Sequence, residues 1–184
     1  MAIEVEKKYR LTRQQYDLLL HRLPVLGAIS EGQDFEENTL FRGGRLELGR
    51  SVLRLRRLKN SAVLTFKERL PSSSEIKHQR EDETWVGDPD SMATILDALG
   101  FTPLLVYEKR RQTWYLDNTQ VAVDELPFGL FMEIEGDEDA ILAVESRLEI
   151  KGLKSEPATY PQLAFKHGVK SGELVESRFL DRPV

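Results

Sequence analysis

At least six stretches of this chain alternate apolar with charged or polar residues at a period of two, and their charges carry both signs. Successive side chains of a strand point to opposite faces, so each stretch reads as a strand with one apolar and one charged side. In Ile3-Glu4-Val5-Glu6-Lys7-Lys8-Tyr9, Ile3 and Val5 oppose Glu4, Glu6 and Lys8. Leu53 and Leu55 likewise oppose Arg54 and Arg56, Leu64 and Phe66 oppose Thr65 and Lys67, and Met132 and Ile134 oppose Glu133 and Glu135. Less regular stretches add Glu81 with Glu83, Lys109 with Arg111, and Asp124. The set comes to seven acids and six bases on separate strands.

On an open sheet with one solvated face these residues would form cross-strand ion pairs, each worth a fraction of a kcal/mol to about 1 kcal/mol. Three predicted helices change that reading, because they can cover the apolar sides. Thr12 with Gln15 has the form of a capping box ahead of Tyr16, Leu19, Leu20 and Leu23. Asp88 caps a helix with Pro89 at its first position and Met92, Ile95, Leu96 and Leu99 as its stripe, ended by Gly100. Asp137 starts a third, with Ile141, Leu142, Val144 and Leu148 inward, and residues 161–165 allow a short last helix. Helices outside leave the charges inside. The expected fold is α+β: a closed eight-stranded antiparallel β-barrel with helices packed on its outside, wide enough inside for side chains or one small ligand.

A chain of 184 residues suits one domain, 1–184, with the polar segment after about residue 168 as a C-terminal tail that Leu174, Val175, Phe179 and Leu180 can dock. Net charge −5 and pI 5.4 argue against nucleic acid or an anionic membrane as partner. No apolar run reaches the length of a membrane span and no signal-peptide core opens the chain, so a cytoplasmic location is expected. Absence of cysteine excludes disulfides, thiolate metal sites and a cysteine nucleophile. His21, His78 and His167 have no ligand spacing, and neither a Walker-type glycine loop nor a Gly-x-Ser-x-Gly elbow occurs. The polar loop over residues 70–75 reads as a connector, with a lid as the other reading.

Charges lining a barrel need a ligand. Two carboxylates a few ångström apart repel by about 4 kcal/mol at an effective dielectric near 20, so Glu4 with Glu6 and Glu133 with Glu135 ask for a cation. Oxygen ligands alone favour Mg²⁺ or Mn²⁺. The six bases match a phosphate chain, and a metal-bridged polyphosphate satisfies both sets.

The Glu-x-Glu-x-Lys of Glu4, Glu6 and Lys8 resembles the signature of the CYTH domain, or triphosphate tunnel metalloenzymes, which include class IV adenylyl cyclases, thiamine triphosphatases and inorganic triphosphatases. The order continues with Leu53-Arg54-Leu55-Arg56, Leu64-Thr65-Phe66-Lys67, Glu81 and Glu83, Lys109-Arg110-Arg111, Val123-Asp124, and the run from Gly129 to Glu135. The resemblance implies an eight-stranded tunnel in which Glu4, Glu6, Glu133 and Glu135 are metal ligands, with Asp124 a ligand or its support. Lys8, Arg54, Arg56, Lys67, Lys109 and Arg111 become phosphate binders, and Glu4, Glu6 and Lys8 the catalytic signature. In many members an arginine precedes the fifth-strand acids in their own alternation; here Gln79 has that parity and Arg80 the opposite one, so the roles of Glu81 and Glu83 stay open. The implied activity is Mg²⁺- or Mn²⁺-dependent hydrolysis of tripolyphosphate or an organic triphosphate such as thiamine triphosphate. The alternatives are cyclisation of ATP to cyclic AMP and pyrophosphate, and polyphosphate or nucleotide binding without turnover. Monomer and homodimer both stay open.

Overall fold

The computed structural model describes residues 2–47, 49–70 and 77–180, with the backbone alone for residues 2–4, 77 and 78. The loop over residues 71–75, predicted as a connector or lid, lies outside them. Strand β1 (Ala2–Leu11) leads through helix α1 (Arg13–Val25) to β2 (Ile29–Arg42), β3 (Ser51–Arg57), β4 (Ala62–Arg69) and β5 (Lys77–Val86). Helix α2 (Pro89–Ala98) precedes β6 (Thr102–Leu116), β7 (Thr119–Leu126) and β8 (Gly129–Glu135). Then come α3 (Glu138–Leu148), β9 (Lys154–Ser155), α4 (Tyr160–His167), β10 (Val169–Ser171) and β11 (Leu174–Ser177).

The result is α+β, a curled and mainly antiparallel sheet with four helices among the described residues. Its strand path runs β10-β11-β6-β2-β3-β4-β5-β1-β8-β7. Among the described residues the sheet has eleven strands, because β9, β10 and β11 add short edges to the eight longer ones. Strand β6 is long enough to be shared: Leu105 to Tyr107 pair in parallel with β11, whereas Arg110 to Leu116 pair with β7.

Two of the caps that the sequence signals form, whereas Asp137 precedes α3 without a side-chain capping hydrogen bond. Thr12 and Gln15 exchange side-chain and backbone hydrogen bonds at the start of α1, and Asp88 accepts from the amides of Asp90 and Ser91 at α2. Apolar parities then decide which side each helix covers. Helices α1 and α3 bury Leu19, Leu23, Ile141, Val144 and Leu148 against Tyr9, Leu11, Val121, Val123, Met132 and Ile134. Helix α2 buries Leu96 against Leu55, Ala62 and Val86. Helix α4 behaves differently: Tyr160, Leu163 and Ala164 pack on Leu40, Leu105, Tyr107 and Phe131, which belong to the parity that carries the charges. None of the described helices is long and apolar enough to cross a membrane.

Through Phe179 the described part of the C-terminal segment packs on the body as a strap, while Leu180, expected to dock, is exposed. Val175 is buried, and Arg178 reaches the outer side of β2 and β6, 2.5 Å from Glu37, 3.0 Å from the almost fully buried Glu108 and 2.7 Å from Glu176. The Phe179 amide also donates to Glu108 at 2.8 Å, and the Phe179 ring lies 4.1 Å from the Arg110 guanidinium. Because Glu108 is buried, removing a charged partner costs more than at a surface pair, about 1–3 kcal/mol. Arg178→Ala is expected to lower unfolding stability by that amount in chemical denaturation, and an unchanged midpoint would show that the strap bears no load.

Candidate active site

Alternation brings the predicted charges onto one face of the sheet. Register sets Glu6 opposite Glu135 and Lys8 opposite Glu133 across β1 and β8, and Arg111 opposite Asp124 across β6 and β7. Thr65 stands between Arg54 and Glu83, and Lys67 opposite Glu81. Little water reaches the middle of this face: Lys8 and Lys109 are 2% exposed and Asp124 is fully buried.

All six predicted bases meet a carboxylate there. Lys8 lies 3.2 Å from Glu133, Lys67 2.6 Å from Glu81, and Arg54 3.6 Å from Glu83. The Thr65 hydroxyl bridges the last pair, accepting from Arg54 at 3.3 Å and donating to Glu83 at 2.7 Å. Arg111 is the most heavily engaged: Nε and Nη2 donate to the two oxygens of Asp124 at 2.8 and 2.6 Å, and Nη2 also donates to Glu133 at 2.5 Å. Tyr160 closes the arrangement, its hydroxyl donating to Asp124 at 2.6 Å while its ring lies 3.9 Å from the Lys8 ammonium. The fifth-strand acids, whose roles stayed open, thus face the bases, while Arg80 pairs with Asp82 at 2.7 Å on the opposite parity.

The predicted metal ligands are distributed less simply. Asp124 is committed to Arg111 and Tyr160, and Glu133 to Lys8 and Arg111. Glu6 and Glu135 face one another in register. Glu4 is opposite Gln79 by backbone register, and its side chain lies outside the described residues. Among the described residues no three acidic or imidazole side chains converge as a metal cluster.

Four participants were not predicted. Glu36 is 2% exposed, 3.2 Å from Lys109 and 3.6 Å from Arg56. Asn38 donates to it at 3.2 Å, and Thr65 and Tyr160 act as described above. Glu36, Asn38 and Leu40 alternate on β2, which is the signal that could have found the first two. Tyr160 arrives from α4, and strand periodicity holds no trace of it.

The charges shift one another. Burial pushes the Glu36 carboxyl up, but Lys109, Arg56, Arg111 and Arg54 hold it well below the ordinary carboxylate range. Burial and then the neighbouring Arg111 pull the Lys109 ammonium down to about 8, against the attraction of Asp124 and Glu36. Burial and then the Asp124 and Glu133 charges raise the Tyr160 hydroxyl well above its usual value, so it remains a donor.

The sequence matches the CYTH domain family model over residues 2–166. No curated protein matches it at a significant level. Among solved structures, the PH1012 protein of Pyrococcus horikoshii OT3 is 26% identical with a TM-score of 0.75, covering 85% of this chain and 96% of its own. A Pyrococcus furiosus protein is 26% identical with a TM-score of 0.72, covering 85% and 97%. The Hippeastrum protein HpAC1, whose structure is described with a dominant triphosphatase activity, is 20% identical with a TM-score of 0.70, covering 90% and 95%.

Lys109 supplies a direct test of these electrostatics. Its folded value lies below that of an unfolded lysine, so the unfolded chain holds the proton more tightly and stability rises with pH from about 8 upward, towards the ordinary 10.5. Below about 8 lysine is charged in both states and the penalty is complete. Lysine side-chain NMR is expected to find one ammonium titrating near 8, missing in Lys109→Arg. Uniform titration near 10.5 would contradict the buried cluster.

Proposed function

The chain belongs to the CYTH domain family, and from that premise we propose that it is a divalent-metal-dependent enzyme that hydrolyses a triphosphate bound on the charged face of its curled sheet. The observation that carries this reading is the set of six bases from β1, β3, β4 and β6, all turned to one face and all held there by carboxylates. Buried ion pairs repay little of their desolvation. A site built this way gains when a ligand of higher charge density takes over the bases and a cation takes over the acids. Retained acids distinguish this from simple anion capture, for which bases alone would suffice. The pairing of β6 with β7 supports a tunnel, since it joins the two ends of the run β6-β2-β3-β4-β5-β1-β8-β7.

In this reading Lys8, Arg54, Arg56, Lys67, Lys109 and Arg111 bind the phosphate oxygens, the arginines by bidentate contacts. Asp124 and Tyr160 orient Arg111 rather than bind the ion. Glu6 and Glu135 fit a hard divalent cation by their chemistry: two facing carboxylates, with phosphate oxygens and water completing the shell, are what Mg²⁺ favours, and Mn²⁺ accepts the same donors. Glu4 and Glu133 stand next to them on β1 and β8 as further candidates. A bound cation there would neutralise phosphate oxygens and lower the pKa of an attacking water. The chain's own groups align the phosphates, exclude bulk water and hold Arg111 against the charge that develops in the transition state.

Incubation with tripolyphosphate, thiamine triphosphate and ATP, each with Mg²⁺, Mn²⁺ or chelator, followed by ion-exchange analysis, tests the reading. Orthophosphate release lost with chelator is expected. Cyclic AMP with pyrophosphate would make the protein a cyclase, and absence of any product would make it a binding module. Arg56→Ala is expected to raise KM for the triphosphate by about 10- to 100-fold, the loss of one charged contact, and an unchanged KM would remove it from the site. Glu6→Gln is expected to abolish metal-dependent turnover with the fold intact by circular dichroism; full activity with Mg²⁺ would remove Glu6 from the metal seat.

A further inference from the structure

Glu36 stands apart from the acids just discussed. It lies on β2, not on the strands that carry the paired acids, and it is held from three sides: Lys109 at 3.2 Å, Arg56 at 3.6 Å and the Asn38 amide at 3.2 Å. Asn38 is fully buried, so the clamp has little freedom to swing away. Along β6, Lys109 is followed on the same parity by Tyr107 and then Leu105, which join Leu40, Phe131 and Tyr160 in the apolar cluster under α4. Glu36 therefore sits where the charged lining meets its apolar floor, and it occupies two of the six bases at once.

We propose that Glu36 is an internal counter-anion that competes with phosphate for Lys109 and Arg56, and so sets which anions the site retains. The inference rests on the reading of this face as a phosphate site. A phosphate oxygen approaching Lys109 or Arg56 meets a carboxylate of like charge already at bonding distance, which is discrimination by repulsion. A triphosphate chain long enough to reach Lys8, Arg54 and Arg111 as well draws on those contacts to displace it. Orthophosphate spans too few bases to do so, which keeps the product from occupying the site. Glu36 is thus a specificity-determining residue rather than a metal ligand or a proton carrier.

Titration calorimetry in chelator, with tripolyphosphate and with orthophosphate as ligands, tests this on the wild type and on Glu36→Gln. The glutamine keeps the volume and can still accept from Asn38, but has no charge. Both ligands are expected to bind Glu36→Gln more tightly, orthophosphate by about tenfold, the scale of one charge contact, and tripolyphosphate by less. A merely structural role would weaken binding instead. Equal or weaker binding by a folded Glu36→Gln, while the wild type binds tripolyphosphate, overturns the counter-anion and leaves the phosphate site standing. If the wild type binds tripolyphosphate neither in chelator nor with Mg²⁺, the phosphate site itself falls. Should Glu36→Gln fail to fold, Glu36→Asp, whose shorter arm withdraws the carboxylate from Lys109, is expected to tighten orthophosphate binding in the same direction, and no gain there overturns the proposal.

Discussion

Burying a charge is tolerable only when an opposite charge and hydrogen bonds replace the water it loses, and the arrangement of this protein follows from that constraint. Lys8, Lys109, Asp124 and Glu36 are each at most 2% exposed. No helix or apolar side chain could accommodate any one of them alone. They are stable together because strand register delivers acids and bases in alternation onto the same face: Lys8 beside Glu133, Lys109 beside Glu36, Arg111 beside Asp124. The curl of the sheet, with Tyr160 of α4 lying against Asp124 and over Lys8, provides the burial that makes the pairing necessary.

Arg111 is the centre of that network. Its fork holds Asp124 with two donors and Glu133 with one, and the Tyr160 hydroxyl donates to the same Asp124 oxygen that Arg111 Nη2 does. Burial lowers the affinity of the guanidinium for its proton, yet Asp124 and Glu133 raise it well beyond the ordinary arginine value, so it is a permanent cation. Lys109, one alternation away, is in the opposite situation, because burial and then the charge of Arg111 outweigh the attraction of Asp124 and Glu36. One fixed and one adjustable cation side by side suit the proposed binding of a polyanion and release of its fragments.

Most of this was legible in the sequence because period-two alternation encodes facing directly. Leu53 and Leu55 against Arg54 and Arg56, or Met132 and Ile134 against Glu133 and Glu135, fix which side chains share a face before any strand order is known. The capping residues Thr12 and Asp88 did the same for helix starts. What the sequence did not disclose depends on contacts between distant segments. Tyr160 reaches Asp124 from a helix that packs on the charged parity, and nothing in residues 160–167 announces that choice of side. The strap behaves likewise: Arg178 pairs with Glu37 and Glu108, residues far away in the chain on a strand face that looks solvated by its alternation. Glu36 was within reach of the same parity argument, but the stretch from Gly32 to Phe41 holds too few apolar residues for its inward face to stand out.

The central claim is that the ion pairs of this face are exchanged for a metal-bound triphosphate. A crystal structure of the protein with tripolyphosphate and Mn²⁺ tests it most directly. The account predicts phosphate oxygens within hydrogen-bond distance of Arg54, Arg56 and Arg111, the Lys8–Glu133 pair opened, and Mn²⁺ on Glu6 and Glu135. Tripolyphosphate bound elsewhere, with all six bases still on their carboxylates, would contradict it.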